Sequence, residues 1–385
     1  MWVIDGAMAG VMGVAALVAC PWTAHAHGAP ARPHAGDVAA SPEPLLRELR
    51  DAEALLAQGD ARAALAGFER AALGAHEARI ELGQLRALMQ LGAYRQALGF
   101  AAHTAGVHAD EAAGRVFYAW LLDLGAQPSL GRLVAQQATG DAAADPQLQA
   151  LQQWWRQADA GQADRWPPAL LQGAAALGPV GTGAAPSDAA AAVASAWLLP
   201  SGRMALMPAS ALPLNCQGGP QHRLWVRNGL GQAVAAQVLD RDEGLGLILL
   251  KLDGDLPVPT QVRWAPQDAS PGSPAYALDH WRTDGQPGWP HLRAGFVGRG
   301  GLLGVRLPVP TRRGGPVLDA GGRLIGLAQA GEEGRDRLVA AGALRARFGP
   351  AIGPQDELPR PQALDAEAIY EQGLLTTLQV LHSPL

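Results

Sequence analysis

Three glycines, Gly59, Gly92 and Gly125, stand 33 residues apart in a stretch built mostly of Ala, Leu, Gln, Glu and Arg. A fixed period of this length is a strong constraint on the fold. One such unit cannot bury its apolar face alone and must stack on its neighbours. The surrounding residues keep the same register: Leu55 and Leu56 fall on Leu88 and Met89, then on Leu121 and Leu122, while Ala64-Leu65 falls on Ala97-Leu98. Each glycine follows an apolar helical run, so each is expected at a turn between antiparallel helices, supplying the positive φ that ends a helix tightly. A small alanine on the next helix lets the two backbones approach. The pattern predicts an all-α region over 44–165. Its last helices are expected between Pro146 and Ala160, where Trp154 and Trp155 lie. A generic helical bundle would explain the helices but not the register. His76, His103 and His108 fall in or near connecting loops and are expected to be solvated. No grouping of His, Cys or carboxylates marks a site here, and neither metal nor cofactor is expected.

The composition changes after Trp166. Pro167–Pro186 is rich in Gly, Ala and Pro, so 166–191 reads as a linker. From Ala192 short apolar runs alternate with turns such as Pro200-Ser201-Gly202 and Asp319-Ala320-Gly321-Gly322. Strands are expected at Ala196–Leu199, Leu224–Arg227, Ala233–Leu239, Leu245–Leu252, Gln261–Trp264, Ala275–Leu278 and Leu324–Ala328. That many short strands in roughly 150 residues imply a barrel or sandwich.

At the front, Ala7–Ala19 is apolar but too short to span a bilayer, and Ala24-His25-Ala26 offers a small-x-small cleavage site. Residues 1–26 therefore read as an export signal, although Met1–Gly6 carries Asp5 and no basic residue, and 27–43 reads as a linker. Leu17-Val18-Ala19-Cys20 also resembles a bacterial lipobox, which would make Cys20 a lipidated first residue and the only route to a membrane. Either reading places the mature protein outside the cytoplasm. His25, His27 and His34 are read as part of a tail rather than a metal site. With Cys20 removed, Cys216 has no partner for an intrachain disulfide. The net charge of −5 and the absence of a basic cluster exclude nucleic acid as a partner.

The helical period resembles the tetratricopeptide repeat. The first unit matches through Gly59-Asp60, Ala64, Phe68 and Ala71, the second through Gly92, Tyr94 and Ala97, and the third keeps little beyond Gly125. That resemblance implies a solenoid whose concave surface binds a protein or peptide.

The β region resembles the bacterial periplasmic heat-shock type of trypsin-like serine protease. Three blocks carry the resemblance in the family's order: Trp197-Leu-Leu-Pro-Ser-Gly-Arg203 with Ala205–Leu212, then Gln237–Leu252, then Gly314–Leu327. Gly272–Leu278 and Leu292–Arg299 fit the intervening strands. The implied fold over 192–348 is a double β-barrel, which makes the chain a multidomain α + β protein. The resemblance also locates the chemistry. Ser210 stands where the family has its general-base histidine, Gly246 where it has the orienting aspartate, and Arg313 where it has the nucleophilic serine. Thr311 replaces a glycine that helps to form the oxyanion hole. Acyl transfer needs a hydroxyl, an imidazole to take its proton and a carboxylate to hold the imidazole. None of these side chains is present, so a pseudoprotease is expected. Arg312 and Arg313 offer a grip for a ligand carboxylate or form a solvated turn.

Residues 349–385 form a tail, with a helix expected from Asp365 and a β-like run at Thr376–Leu381. The segment resembles what precedes the first strand in the family but lies at the opposite end, so it is expected to fold back onto the barrel edge. The function expected is a non-catalytic protein- or peptide-binding adaptor of the cell envelope. The alternatives are an active endopeptidase with a relocated triad and a regulator that competes with an active envelope protease.

Overall fold

The computed structural model describes residues 42–160, 190–212, 222–259, 263–280, 288–304, 314–331, 336–352 and 363–384. The protein is α plus β, with a helical region followed by a closed barrel and a second sheet.

The helical region comprises α1 (Pro42–Ala57), α2 (Ala61–Gly74), α3 (Ala78–Gln90), α4 (Tyr94–Val107), α5 (Ala112–Leu124), α6 (Pro128–Gln136), the one-turn α7 (Gly140–Ala143) and α8 (Pro146–Asp159). Local signals set several of these boundaries. Asp60 caps α2 by accepting from Ala63 N at 3.1 Å. Asp145 caps α8 by accepting from Gln147 N at 2.8 Å, with Pro146 in the first turn, where its missing N–H costs nothing. Gly59 and Gly92 take φ of 87° and 78°. At Gly125 the expectation fails, because the positive φ of 67° passes to Ala126. Gly125 is needed for space instead: a Cβ there would lie 2.0 Å from the Tyr94 hydroxyl, which donates to Leu121 O at 2.8 Å. Residues one period apart also meet directly, for Arg86 on α3 pairs with Glu53 on α1. The stretch from Pro146 forms a single helix rather than a pair.

Six strands close the barrel in the order β1-β11-β3-β4-β5-β2. They are β1 (Ala191–Leu198), β2 (Met204–Pro208), β3 (His222–Asn228), β4 (Ala233–Asp242), β5 (Leu247–Leu252) and, from the far end of the chain, β11 (Thr377–Pro384). β11 lies between β1 and β3, pairing Ser195 with Gln379 on one side and Val226 with Val380 on the other. Period-two alternation gives β5 two buried faces. Ile248, Leu250 and Leu252 fill the barrel, while Leu247 and Leu249 turn to the core outside it. The expected strand at Leu245 begins two residues late, because Gly246 is still in the preceding turn.

The second sheet has the order β10-β9-β8-β6-β7, from β6 (Pro274–Asp279), β7 (His291–Phe296), β8 (Pro316–Leu318), β9 (Leu324–Ala330) and β10 (Asp336–Ala340). Single bridges Val297↔Leu303 and Leu302↔Arg337 bring its two ends together. His291, which follows Trp289-Pro290, is the buried first residue of β7. Of the expected strand Gln261–Trp264, only Trp264 makes a described bridge, to Leu324, while Gln261 lies outside the described residues. Two further helices follow, α9 (Ala341–Ile352) and α10 (Ala366–Thr376). One core runs from the helices into the β region. Phe117, Trp120, Trp154 and Trp155 join Trp197, Trp264, Trp289, Leu292, Ile369 and Tyr370 in a single apolar cluster. The helical region therefore does not hang from the barrel by a linker alone.

Candidate functional site

Ser210 sits in a short 3₁₀ turn (Ala209–Ala211) directly after β2 and is exposed. Gly246 closes the turn that leads into β5. The two positions are held side by side: Pro208 pairs with Leu247 across the β2–β5 ladder, and Ala209 N donates to Gly246 O at 2.8 Å. Gly314 packs on the same edge, where a Cβ would come within 2.2 Å of both Pro208 Cδ and Ser195 O. Only a glycine permits that approach. Thr311, Arg312 and Arg313 lie outside the described residues, as do Cys20 and Cys216.

What surrounds Gly246 bears on the chemistry. Its φ is 65°, a left-handed conformation in which an L side chain costs about 1–2 kcal/mol. The Gln329 side-chain amide lies over this turn, donating through Nε2 to Leu245 O at 2.9 Å and to Gly246 O at 3.0 Å. The Gln329 side chain thus lies beside Gly246, at ordinary contact distance from where a Cβ would stand. Among the described residues, Ser210 makes no hydrogen bond to an imidazole. Sequence reading did not find Gln329; 83 residues separate it from Gly246, and only the pairing of the two β regions brings it there.

Two buried histidines of the β region serve other ends. His280 is buried against the barrel. Its backbone N donates to Ser195 Oγ at 2.8 Å, and its Nε2 lies 3.2 Å from Thr377 O. Burial, with Arg227 nearby, brings its pKa down to about 4, so the ring is neutral near pH 7. The Ser195 hydroxyl is thus engaged by the main chain of His280 and not by its ring. His291 lies at the junction with the helices, where Arg293 Nη2 donates to its Nδ1 at 2.8 Å. Burial first, then the Arg293 charge, hold its pKa well below the ordinary value. Arg293 also reaches across to α5, donating to Asp123 O at 2.8 Å and lying 3.6 Å from Asp123 Oδ2. These groups tie two regions together.

A second constellation lies in the helical region, where none was expected. His76 in the α2–α3 loop, Glu81 in the first turn of α3 and His108 at the end of α4 bring their ligand atoms within 4.8 Å of one another. His76 Nε2 lies 2.8 Å from Glu81 Oε1, and the Nε2 atoms of His103 and His108 are each 3.7 Å from that same oxygen. Three histidines read as solvated therefore turn toward one buried carboxylate. The signal in the sequence was spacing: His76 to His108 is 32 residues, close to the 33-residue glycine period, and so spans one helical unit.

No family model matches the chain, and no curated protein matches it. Among solved structures it is similar to the protease domain of MamO from Magnetospirillum magneticum, in its apo form, at 22% identity and a TM-score of 0.32, over 43% of this chain and 91% of that one.

Proposed function

We propose that the protein is a non-catalytic protein- or peptide-binding adaptor of the cell envelope, formed by tetratricopeptide-like repeats fused to a trypsin-like pseudoprotease. In this reading the closed barrel and the second sheet correspond to the two barrels of the protease fold, and the edge carrying Ser210, Gly246 and Gly314 is its former active-site face. The observation that carries the proposal is Gly246. It abuts the Ser210 turn, has no side chain, holds a φ of 65° and lies under the amide of Gln329. Catalysis would require a carboxylate at this position, where the left-handed backbone disfavours any side chain. The adaptor role is supported by the helical hairpins, which suit partner binding, and by Arg312 and Arg313, whose guanidinium groups suit a ligand carboxylate.

The test is chemical. A serine-reactive fluorophosphonate is expected to leave the full chain unlabelled. The Ser210→His, Gly246→Asp, Arg313→Ser triple variant is expected to stay inactive on peptide substrates. Immobilised peptides ending in a free carboxylate should bind the native chain and lose affinity with Arg312→Ala/Arg313→Ala. Labelling abolished by a single serine substitution would establish the hydrolase instead. Unchanged peptide affinity in the double arginine variant would dispose of the carboxylate grip.

A further inference from the structure

We propose that His76, Glu81 and His108 bind a divalent transition metal, zinc foremost, which ties the α2–α3 loop and the start of α3 to the end of α4. Glu81 is the anchor. Its side chain is 6% exposed, yet among the described residues its Oε2 makes no hydrogen bond. His108, 12% exposed, likewise has no hydrogen-bond partner at Nε2 among the described residues. Buried polar atoms are almost always satisfied, and an ion is one of the few agents that satisfies several at once. A carboxylate and two imidazoles whose ligand atoms lie within 4.8 Å of one another offer lone pairs to such an ion.

The donor set selects the metal. Two imidazoles and a carboxylate, with no thiolate, suit zinc and its neighbours in the first transition row. Zinc takes such ligands at about 2.0–2.2 Å. Donor atoms that already lie within 4.8 Å of one another therefore need only a modest contraction. The required movement falls on His76, which sits in a loop and whose side chain is 60% exposed, so the same residue gives the ion its way in. His108 Nδ1 lies 4.0 Å from Glu111 Oε1, so a carboxylate stands near the ring but beyond hydrogen-bond distance. His103, half exposed and directed at the same Glu81 oxygen, stands at the solvent side of the site. A hydrogen-bonded cluster without metal would leave Glu81 Oε2 and His108 Nε2 unsatisfied.

Zinc chloride titrated into the full chain, with no histidine tag, tests the proposal by calorimetry, and cobalt(II) supplies a visible-absorption readout. The titration is repeated on a background in which His25, His27 and His34 are alanine, so that terminal histidines do not contribute. We expect one zinc per chain in both. His76→Ala, a change at an exposed loop position, should weaken binding by about tenfold or more, and Glu81→Gln should do the same. Zinc should raise the melting temperature of the native chain and leave that of His76→Ala unmoved. A chain that takes up no stoichiometric zinc, or a His76→Ala variant that keeps native affinity, overturns the proposal.

Discussion

The rings of Tyr94 and Tyr370 meet edge to face, with centroids 4.4 Å apart and planes inclined at 61°. Tyr94 opens α4, and Tyr370 lies in α10, near the far end of the sequence. Each hydroxyl donates to a carbonyl elsewhere, Tyr94 to Leu121 and Tyr370 to Pro290, both at 2.8 Å. Charged and polar contacts surround the pair: Glu371 accepts from Arg95 N and Nε, and Gln127 Nε2 donates to Glu367 at 2.6 Å. The helix α10 is thus a wedge that joins the helical region to the barrel.

The wedge should be measurable as coupling. Tyr370→Phe leaves the Pro290 carbonyl unsatisfied in a buried site and is expected to cost about 1–3 kcal/mol. Tyr370→Ala removes the ring as well and is expected to cost about 3–5 kcal/mol. A double-mutant cycle with Tyr94→Ala should return a coupling of roughly 1 kcal/mol in urea melts, the size expected for an aromatic pair. Strict additivity would mean that the helical region and the barrel unfold as independent units.

His280 and His291 make stability depend on pH in a defined direction. Both are neutral in the folded protein, and both pKa values are lowered, to about 4 for His280 and well below the ordinary value for His291. The unfolded chain therefore binds these protons first. Above about pH 6.5 neither state carries them and the contribution is flat. As pH falls from there toward about 4, the unfolded state gains protons that the folded state refuses. Stability should then drop by a little over 1 kcal/mol per pH unit for each histidine. Two neighbouring cations act in the same sense: Arg227 lies near His280, and protonating His291 would place it against Arg293; Asp123 Oδ2, 3.9 Å from His291 Nδ1, acts in the opposite sense. Urea melts between pH 7 and 5 should show the slope, and His280→Leu should flatten about half of it. A pH-independent midpoint in the native chain would contradict the buried neutral state.

The sequence made some features plain and concealed others, for physical reasons. Helix hairpins were legible because Gly59 and Gly92 recur with their flanking leucines, a local signal repeated in register. Gly125 kept the spacing but serves a different need, since the clash it avoids comes from Tyr94, 31 residues earlier. Barrel strands β3, β4 and β5 were legible as short apolar runs between turns, whereas β2 was not among the expected strands and β1 was legible only at its C-terminal end. Its first residues are alanines of low strand propensity, held extended by β11 from the far end of the chain. Ser210 and Gly246 could be located by block resemblance. Gln329, Asp123 and the convergence on Glu81 depend on contacts between distant segments, which no local pattern records.

The tail offers the sharpest test of how the barrel is built. β11 is hydrogen-bonded on both sides, to β1 from Ala191 to Trp197 and to β3 from His222 to Asn228. Leu378 and Val380 fill the barrel interior, and Ile369, Tyr370 and Leu374 fill the outer core. Deleting Asp365–Leu385 would leave β1 and β3 as two unpaired edges around an open barrel, an arrangement prone to association. Burying five large side chains contributes about 1.5–3 kcal/mol each, which together is comparable with the margin of about 5–15 kcal/mol by which most domains are stable. The truncated chain is therefore expected to lose its near-UV circular dichroism and its cooperative melt. A synthetic peptide of residues 365–385, added in excess, should restore both by adding the missing strand. An unchanged melting temperature after truncation would show that the barrel closes without β11. Rescue by the peptide would show that the two parts of the barrel recognise one another without a covalent link.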